Sequence, residues 1–333
     1  MRSGRERGPA TGADPLRFAL RARRAAIDRV TRFTSAEAQA TLEAAKGPQR
    51  ARFQRCAAEA AGAYAAIRDH VDGGSLAPAW ARYARRLEED LLPNPPFDFL
   101  RHPVLMETME VRGRRMLDRT VARLERGMSR ARLAELLEED LVGMPALACR
   151  RYATSHTIVH HLHHLERFGA ATGRDWRTLS SIVELGGGYG SLARLIRRQA
   201  RQRLTYVILD MPISALLQWL YLSTIFGPEE VELVTSERLP KPGCISIVPI
   251  GLARRVDLRA ELFVSTWGMS ESAHAVQRWI LDRDWFGAPH LLIAFQHASR
   301  DFPDLDSTAR FVKEAGASLE PLGVARGSTY AFR

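Results

Sequence analysis

Residues 182–196 read IVELGGGYGSLARLI, and no other stretch limits the fold of this 333-residue chain so strongly. Four glycines fall within five positions, between the strand-like run SIVEL and an amphipathic helix pattern, SLARLIRRQA. Glycine lets a backbone turn sharply with positive φ and lets another body approach it closely. The helix that follows such a turn opens with N–H groups that have no partner inside the helix. The same rhythm continues downstream. TYVILD, CISIVPI, ELFVST and HLLIAF are short β-rich runs, most of them separated by helical patterns. Strands alternating with helices predict an α/β fold with a mostly parallel sheet built from βαβ units. The closing ASLEPLGVARGSTYAFR carries two strand-like ends around ARGS and predicts a terminal hairpin.

Upstream the pattern is different. Residues 1–14 are rich in Gly, Arg and Pro and are expected to be disordered. From residue 15 to 148 apolar residues recur at three- and four-residue spacings, which predicts an all-helical N-terminal region. LPNPPFDF interrupts it, because Pro93, Pro95 and Pro96 cannot continue a helix. Two further helices are expected at about 104–128 and 129–141, the second stopped at GMP. ACRRYATSHTIVHHLHHLERFGAATG reads as one more helix, closed by Gly169, leading into the α/β domain at 149–333.

Composition narrows the setting. A formal charge of +10 invites a nucleic-acid reading, but only Lys46, Lys241 and Lys313 are lysines, and the arginines alternate with acids as in RRLEED. That is the signature of a solvated, ion-paired helix face, and nucleic acid is not the expected partner. No apolar run approaches the roughly 18 residues of a membrane span. The N-terminus lacks the apolar core of a secretory signal, and Glu6 and Asp14 count against a transit peptide, so a cytoplasmic protein is expected. Cys56, Cys149 and Cys244 form no paired motif and read as small apolar residues or spare thiols.

The glycine turn has three readings. A dinucleotide site requires G-x-G-x-x-G; Gly186 and Gly188 fit, but Ser191 stands at the third position. Glu184, Gly186, Gly188 and Gly190 complete E-x-G-x-G-x-G, the first motif of S-adenosylmethionine-dependent methyltransferases. A carboxylate suits that donor, whose methionine end is cationic and which brings no phosphate. The third reading is a turn that only packs helix on strand. Asp210 ends the next strand-like run, about 20 residues past the glycines, where a carboxylate can accept from both ribose hydroxyls. That feature serves a nicotinamide dinucleotide and S-adenosylmethionine alike. Pro212 suits the first turn of the helix that follows.

IVELGGGYGSLARLI, YVILDMPISALLQWLYLS and ELFVSTWGMSESAHAVQRWI together resemble a family of bacterial sugar O-methyltransferases. The resemblance covers residues 149–333 and implies the class I methyltransferase sheet, parallel strands with an antiparallel last strand. It implies S-adenosylmethionine as cofactor, with Glu184, Gly186, Gly188 and Gly190 at its methionine end and Asp210 on its ribose. It also implies Pro249 or Ile250 near the adenine, and the segment after ELFVST facing the transferred methyl group. The acceptor it implies is a sugar or a glycosylated small molecule.

Methylating a hydroxyl calls for alignment and a general base. His297, past the run HLLIAF, is one candidate base, with Gln296 beside it to orient substrate hydroxyls. Glu271 is another, unless it hydrogen-bonds the acceptor or caps a helix, and Trp267 offers a stacking platform or a core side chain. SHTIVHHLHH supplies the third source. His156, His160, His163 and His164 share one helix face, and His161 points elsewhere. His160 is the candidate catalytic group there and His156 a substrate contact, with the rest expected to be exposed. Two histidines at i and i+4 can chelate, but no DxD or cysteine pair completes a set, so no metal is expected. Two other functions stay open, a nicotinamide-dependent oxidoreductase and a non-catalytic subunit of a biosynthetic complex. The helical N-terminal region is expected to form a lid or a homodimer contact.

Overall fold

Each predicted strand-like run becomes a strand. They are β1 (Ser181–Leu185), β2 (Thr205–Asp210), β4 (Ile245–Pro249), β5 (Leu262–Thr266) and β6 (His290–Gln296), with β7 (Ser318–Pro321) and β8 (Ser328–Phe332) as the terminal hairpin. A short edge strand, β3 (Val231–Leu233), adds to them; three residues are too few to show a period in sequence. The computed structural model describes residues 36–71, 76–110, 113–297, 305–325 and 327–333. The expected disordered tail and the helical pattern before residue 36 lie outside the described residues.

The eight strands form one sheet in the order β3-β4-β2-β1-β5-β6-β8-β7. β1 to β6 pair in parallel, and β8 runs antiparallel to both β6 and β7. This is the mostly parallel α/β architecture with an antiparallel last strand. Side chains alternate between its two faces, as a period of two requires. Ile182, Tyr206, Ile208, Val264 and Leu292 enter one core cluster, and Val183, Leu185, Val207, Phe263 and Ile293 the other. Both faces are covered, which is why these strands read as continuous apolar runs. Each fully buried Leu, Ile or Phe contributes about 1.5–3 kcal/mol to holding the layers together.

One face is covered by α6 (His156–Thr172), α7 (Ser191–Gln199), α8 (Pro212–Phe226) and the N-terminal helices α1 (Ala36–Ala65), α2 (Pro78–Leu91), α3 (Pro103–Thr108), α4 (Arg114–Gly127) and α5 (Arg130–Leu136). On the other lie α9 (Ile250–Ala253), α10 (Gly268–Glu271), α11 (His274–Asp282) and α12 (Leu305–Glu314). Among the described residues no helix is long and apolar enough to cross a membrane.

Three helix boundaries differ from expectation. The helix expected at 104–128 is two, α3 and α4, with Gly113 at φ 111° before the second. The helix expected at 129–141 ends at Leu136, because the acids after it turn inward: Glu139 accepts from Ser155 N at 2.9 Å, and Asp140 pairs with the fully buried Arg194. α6 begins only at His156, where the Ser155 hydroxyl accepts from Ile158 N, and it runs through Gly169 to close on Gly173 in the left-handed conformation.

Candidate active site

The carboxyl ends of β1, β2 and β5 open onto one cavity of about 340 Å³. That size is ordinary for a small-molecule site, and the carboxyl edge of an open parallel sheet is where such sites form. The glycine turn makes its floor. Gly186 and Gly188 have φ of 75° and 59°, conformations that favour glycine. Gly188 lines the cavity, and a Cβ there would meet no protein atom within 4 Å. Gly187 and Gly190 are small for packing: their Cβ atoms would lie 2.5 Å from Ile208 Cγ2 and 2.9 Å from Leu222 Cδ1. Gly190 caps α7 and lies outside the cavity lining.

Glu184, Asp210 and Glu271 line this cavity beside Glu110, and burial pushes each of the three up. Glu184 is 1% exposed, accepts from the Tyr206 hydroxyl at 2.8 Å, and titrates at about 8. Asp210 rises to about 7, while Met211 N and Gln218 Nε2 donate to its two oxygens at 2.8 and 2.7 Å. The Gly187 N–H and the Ser214 hydroxyl also donate to it, so the glycine turn and the start of α8 both hold this carboxyl. Glu271, in α10, also rises to about 7, and among the described residues no donor reaches its carboxylate. Removing a charged group from water disfavours its charged form, so each of the three holds its proton more tightly than a free carboxyl.

The turn carrying Glu271 is braced against the glycine turn. Trp267 has φ 75°, a strained value for a residue with a large side chain, and is held there as its N–H donates to Ala294 O at 2.7 Å. Gly268 sits against Leu185 O and Gly186 Cα, so that a Cβ would come within 2.5 and 3.0 Å of them. Trp267 lines the cavity, its ring parallel to that of His160 at 6.3 Å. His160 is 1% exposed, and neither ring nitrogen has a hydrogen-bond partner among the described residues. Burial holds its ring neutral.

Sequence-predicted residues divide between cavity and scaffold. Glu184, Gly186, Gly188, Asp210, Trp267, Glu271, Gln296 and His160 come together in the lining. Pro249 caps α9 outside it, and Ile250 lines it instead. His297 lies outside the lining, exposed, its Nε2 within 2.5 Å of Thr329 Oγ1. His156 is buried away from the lining. Two helix-face expectations need correction. His161 lines the cavity, 3.0 Å from Ser191 Oγ, and His163 and His164 are buried, at 3% and 0% exposure, where exposed rings were expected. α6 is covered on several sides at once, by α4, α7 and β8, so no single inward face exists. His164 meets the Tyr330 hydroxyl at 2.6 Å. Among the described residues no group of three His, Cys, Asp or Glu is arranged to hold a metal.

Several lining residues were not foreseen. Trp80, Met109 and Met116 bring the N-terminal helical region to the cavity wall, contacts between distant segments that no local pattern announces. Gln218 was discoverable: it is a lone amide in the apolar run of α8, and it is fully buried.

No protein-family model matches the chain, and no curated protein matches it. Solved structures similar to it include several described as methyltransferases. The mitomycin 7-O-methyltransferase MmcR is 15% identical, with 90% of this chain and 97% of that one covered and a TM-score of 0.37. The pyocyanin biosynthetic protein PhzM is 16% identical, with 74% of each chain covered and a TM-score of 0.36. An O-methyltransferase family protein from Burkholderia thailandensis is 13% identical, with 65% and 70% covered and a TM-score of 0.34.

Proposed function

We propose that this chain is an S-adenosylmethionine-dependent methyltransferase that acts on a hydroxyl of a sugar or glycosylated small molecule. One observation carries the reading: a single cavity joins the glycine turn and Asp210 to Glu271, Trp267 and His160. The residues present fit the donor. Glu184, buried and raised to about 8, would be drawn back toward its charged form by a cationic group, whereas a pyrophosphate over the same turn would push it further up. Gly188 leaves open room beside its backbone, and Asp210 brings a carboxyl to the same lining, where ribose hydroxyls would compete for it with its protein donors.

When bound, S-adenosylmethionine supplies a methyl group already activated on a sulfonium. What this chain adds is placement and a base. Glu271 would take the proton that the acceptor hydroxyl gives up on methylation. A carboxylate titrating near 7 is matched to that task. Trp267 and the neutral ring of His160 orient the acceptor, and the wall of Trp80, Met109 and Met116 excludes water.

Calorimetric titration with S-adenosylhomocysteine and, separately, with NAD and NADP tests the cofactor. Binding of the first alone is expected; binding of a nicotinamide dinucleotide would establish the oxidoreductase alternative. Release of S-adenosylhomocysteine with a panel of glycosides tests the reaction. Tight donor binding without turnover on any hydroxylated acceptor would favour a non-catalytic subunit.

A further inference from the structure

Gln218 sits in the middle of α8 with no exposed surface, among residues that are almost all apolar. Its Nε2 donates to Gly188 O at 3.0 Å and to Asp210 Oδ2 at 2.7 Å. One amide nitrogen thus satisfies two acceptors from two separate loops, the turn after β1 and the end of β2. Its Oε1 is buried with no partner among the described residues. A buried carbonyl oxygen without a donor is unfavourable, so this orientation persists because the opposite one is worse. Turning the amide over would set its oxygen against a carbonyl and a carboxylate. The amide also backs the turn itself, since a Cβ on Gly187 would lie 3.4 Å from Gln218 Nε2 and 3.2 Å from Glu184 Oε2.

We propose that Gln218 is a positioning residue of the donor site, whose amide locks the glycine turn and Asp210 into one rigid unit. This rests on the reading of Asp210 and the turn as the donor site, and it assigns a determinant outside the cavity lining. Without two hydrogens pointing the same way, Asp210 loses one of the contacts that aim its carboxylate, beside those from Met211, Gly187 and Ser214, and the turn loses the tie on Gly188 O. No other common side chain of this size offers that pair of donors without bringing a charge.

The test is the affinity for S-adenosylhomocysteine, measured by calorimetry between pH 5 and pH 8 for the wild type, Gln218→Met and Gln218→Glu. The titratable groups facing the amide are Asp210 from β2 and, across Gly187, Glu184 from β1, itself held by Tyr206. Gln218→Met fills similar volume without donors and is expected to weaken binding by roughly tenfold or more at every pH. Gln218→Glu sets a third carboxyl against these acceptors. Its binding is expected to be weak at pH 8 and to recover toward the wild type at pH 5, where a protonated carboxyl can donate once. A residue that only fills the core would give no such recovery. Wild-type affinity in Gln218→Met, or a Gln218→Glu profile parallel to the wild type, overturns the proposal. If Gln218→Met does not fold, the glutamate profile decides alone. A wild type that does not bind S-adenosylhomocysteine overturns the proposed function, and the role of Gln218 with it.

Discussion

Replacing Glu271 by Gln is expected to make the protein more stable and to stop turnover. The carboxyl is raised from 4.5 to about 7 because it sits half-buried at the cavity wall, shielded from bulk water, with no donor from the described residues. A folded-state pKa above the unfolded one means the folded protein holds its proton more tightly. Glu271 therefore costs nothing below pH of about 4.5, costs progressively more as pH climbs toward 7, and costs in full above it. The gap corresponds to roughly 3 kcal/mol at most, and contact with cavity water reduces it to about 1–2 kcal/mol. Gln is the neutral isostere at every pH, so the variant escapes that cost. Urea denaturation of both proteins at pH 5 and pH 8 isolates the effect, since Glu184 and Asp210 are common to both and cancel. At pH 8 the variant should be more stable by about 1–2 kcal/mol, and at pH 5 nearly equal. Release of S-adenosylhomocysteine should fall by about 10²–10⁴. An equal stability difference at the two pH values would show that Glu271 titrates as an ordinary carboxyl and is no tuned base. Unchanged turnover would remove it from the chemistry.

Two more outcomes follow from packing. Gly268→Ala would drive a methyl into Leu185 O and Gly186 Cα, and should cost about 1–3 kcal/mol by thermal unfolding while weakening donor binding at the displaced turn. His160→Leu removes two buried ring nitrogens without partners among the described residues. It should leave stability unchanged or raise it, and raise the acceptor KM with donor affinity retained; a large loss of stability would show the ring to be structural.

The strands, their parallel pairing and the turn at Gly186 and Gly188 were legible because each rests on local chemistry. Continuous apolar runs bury on both faces, and side-chain-free residues turn where others cannot. Glu184, Asp210 and Glu271 were legible for the same reason, since each lies at the end of a strand or in the turn beyond it. The histidines of α6 were not. Their exposure depends on what surrounds the helix, and α4, α7 and β8 come from three distant parts of the chain, so His161 faces the cavity and His163 and His164 do not meet water. The early end of α5 has a similar origin: Glu139 and Asp140 leave the helix for partners at Ser155 and Arg194, which only folding brings near. Local pattern sets which long apolar runs become strands and which residues can turn or carry charge at their ends. Which of those groups share one cavity, and that Gln218 ties two of its edges together, comes from folding alone, because burial and hydrogen-bond partners are supplied by residues far apart in the chain.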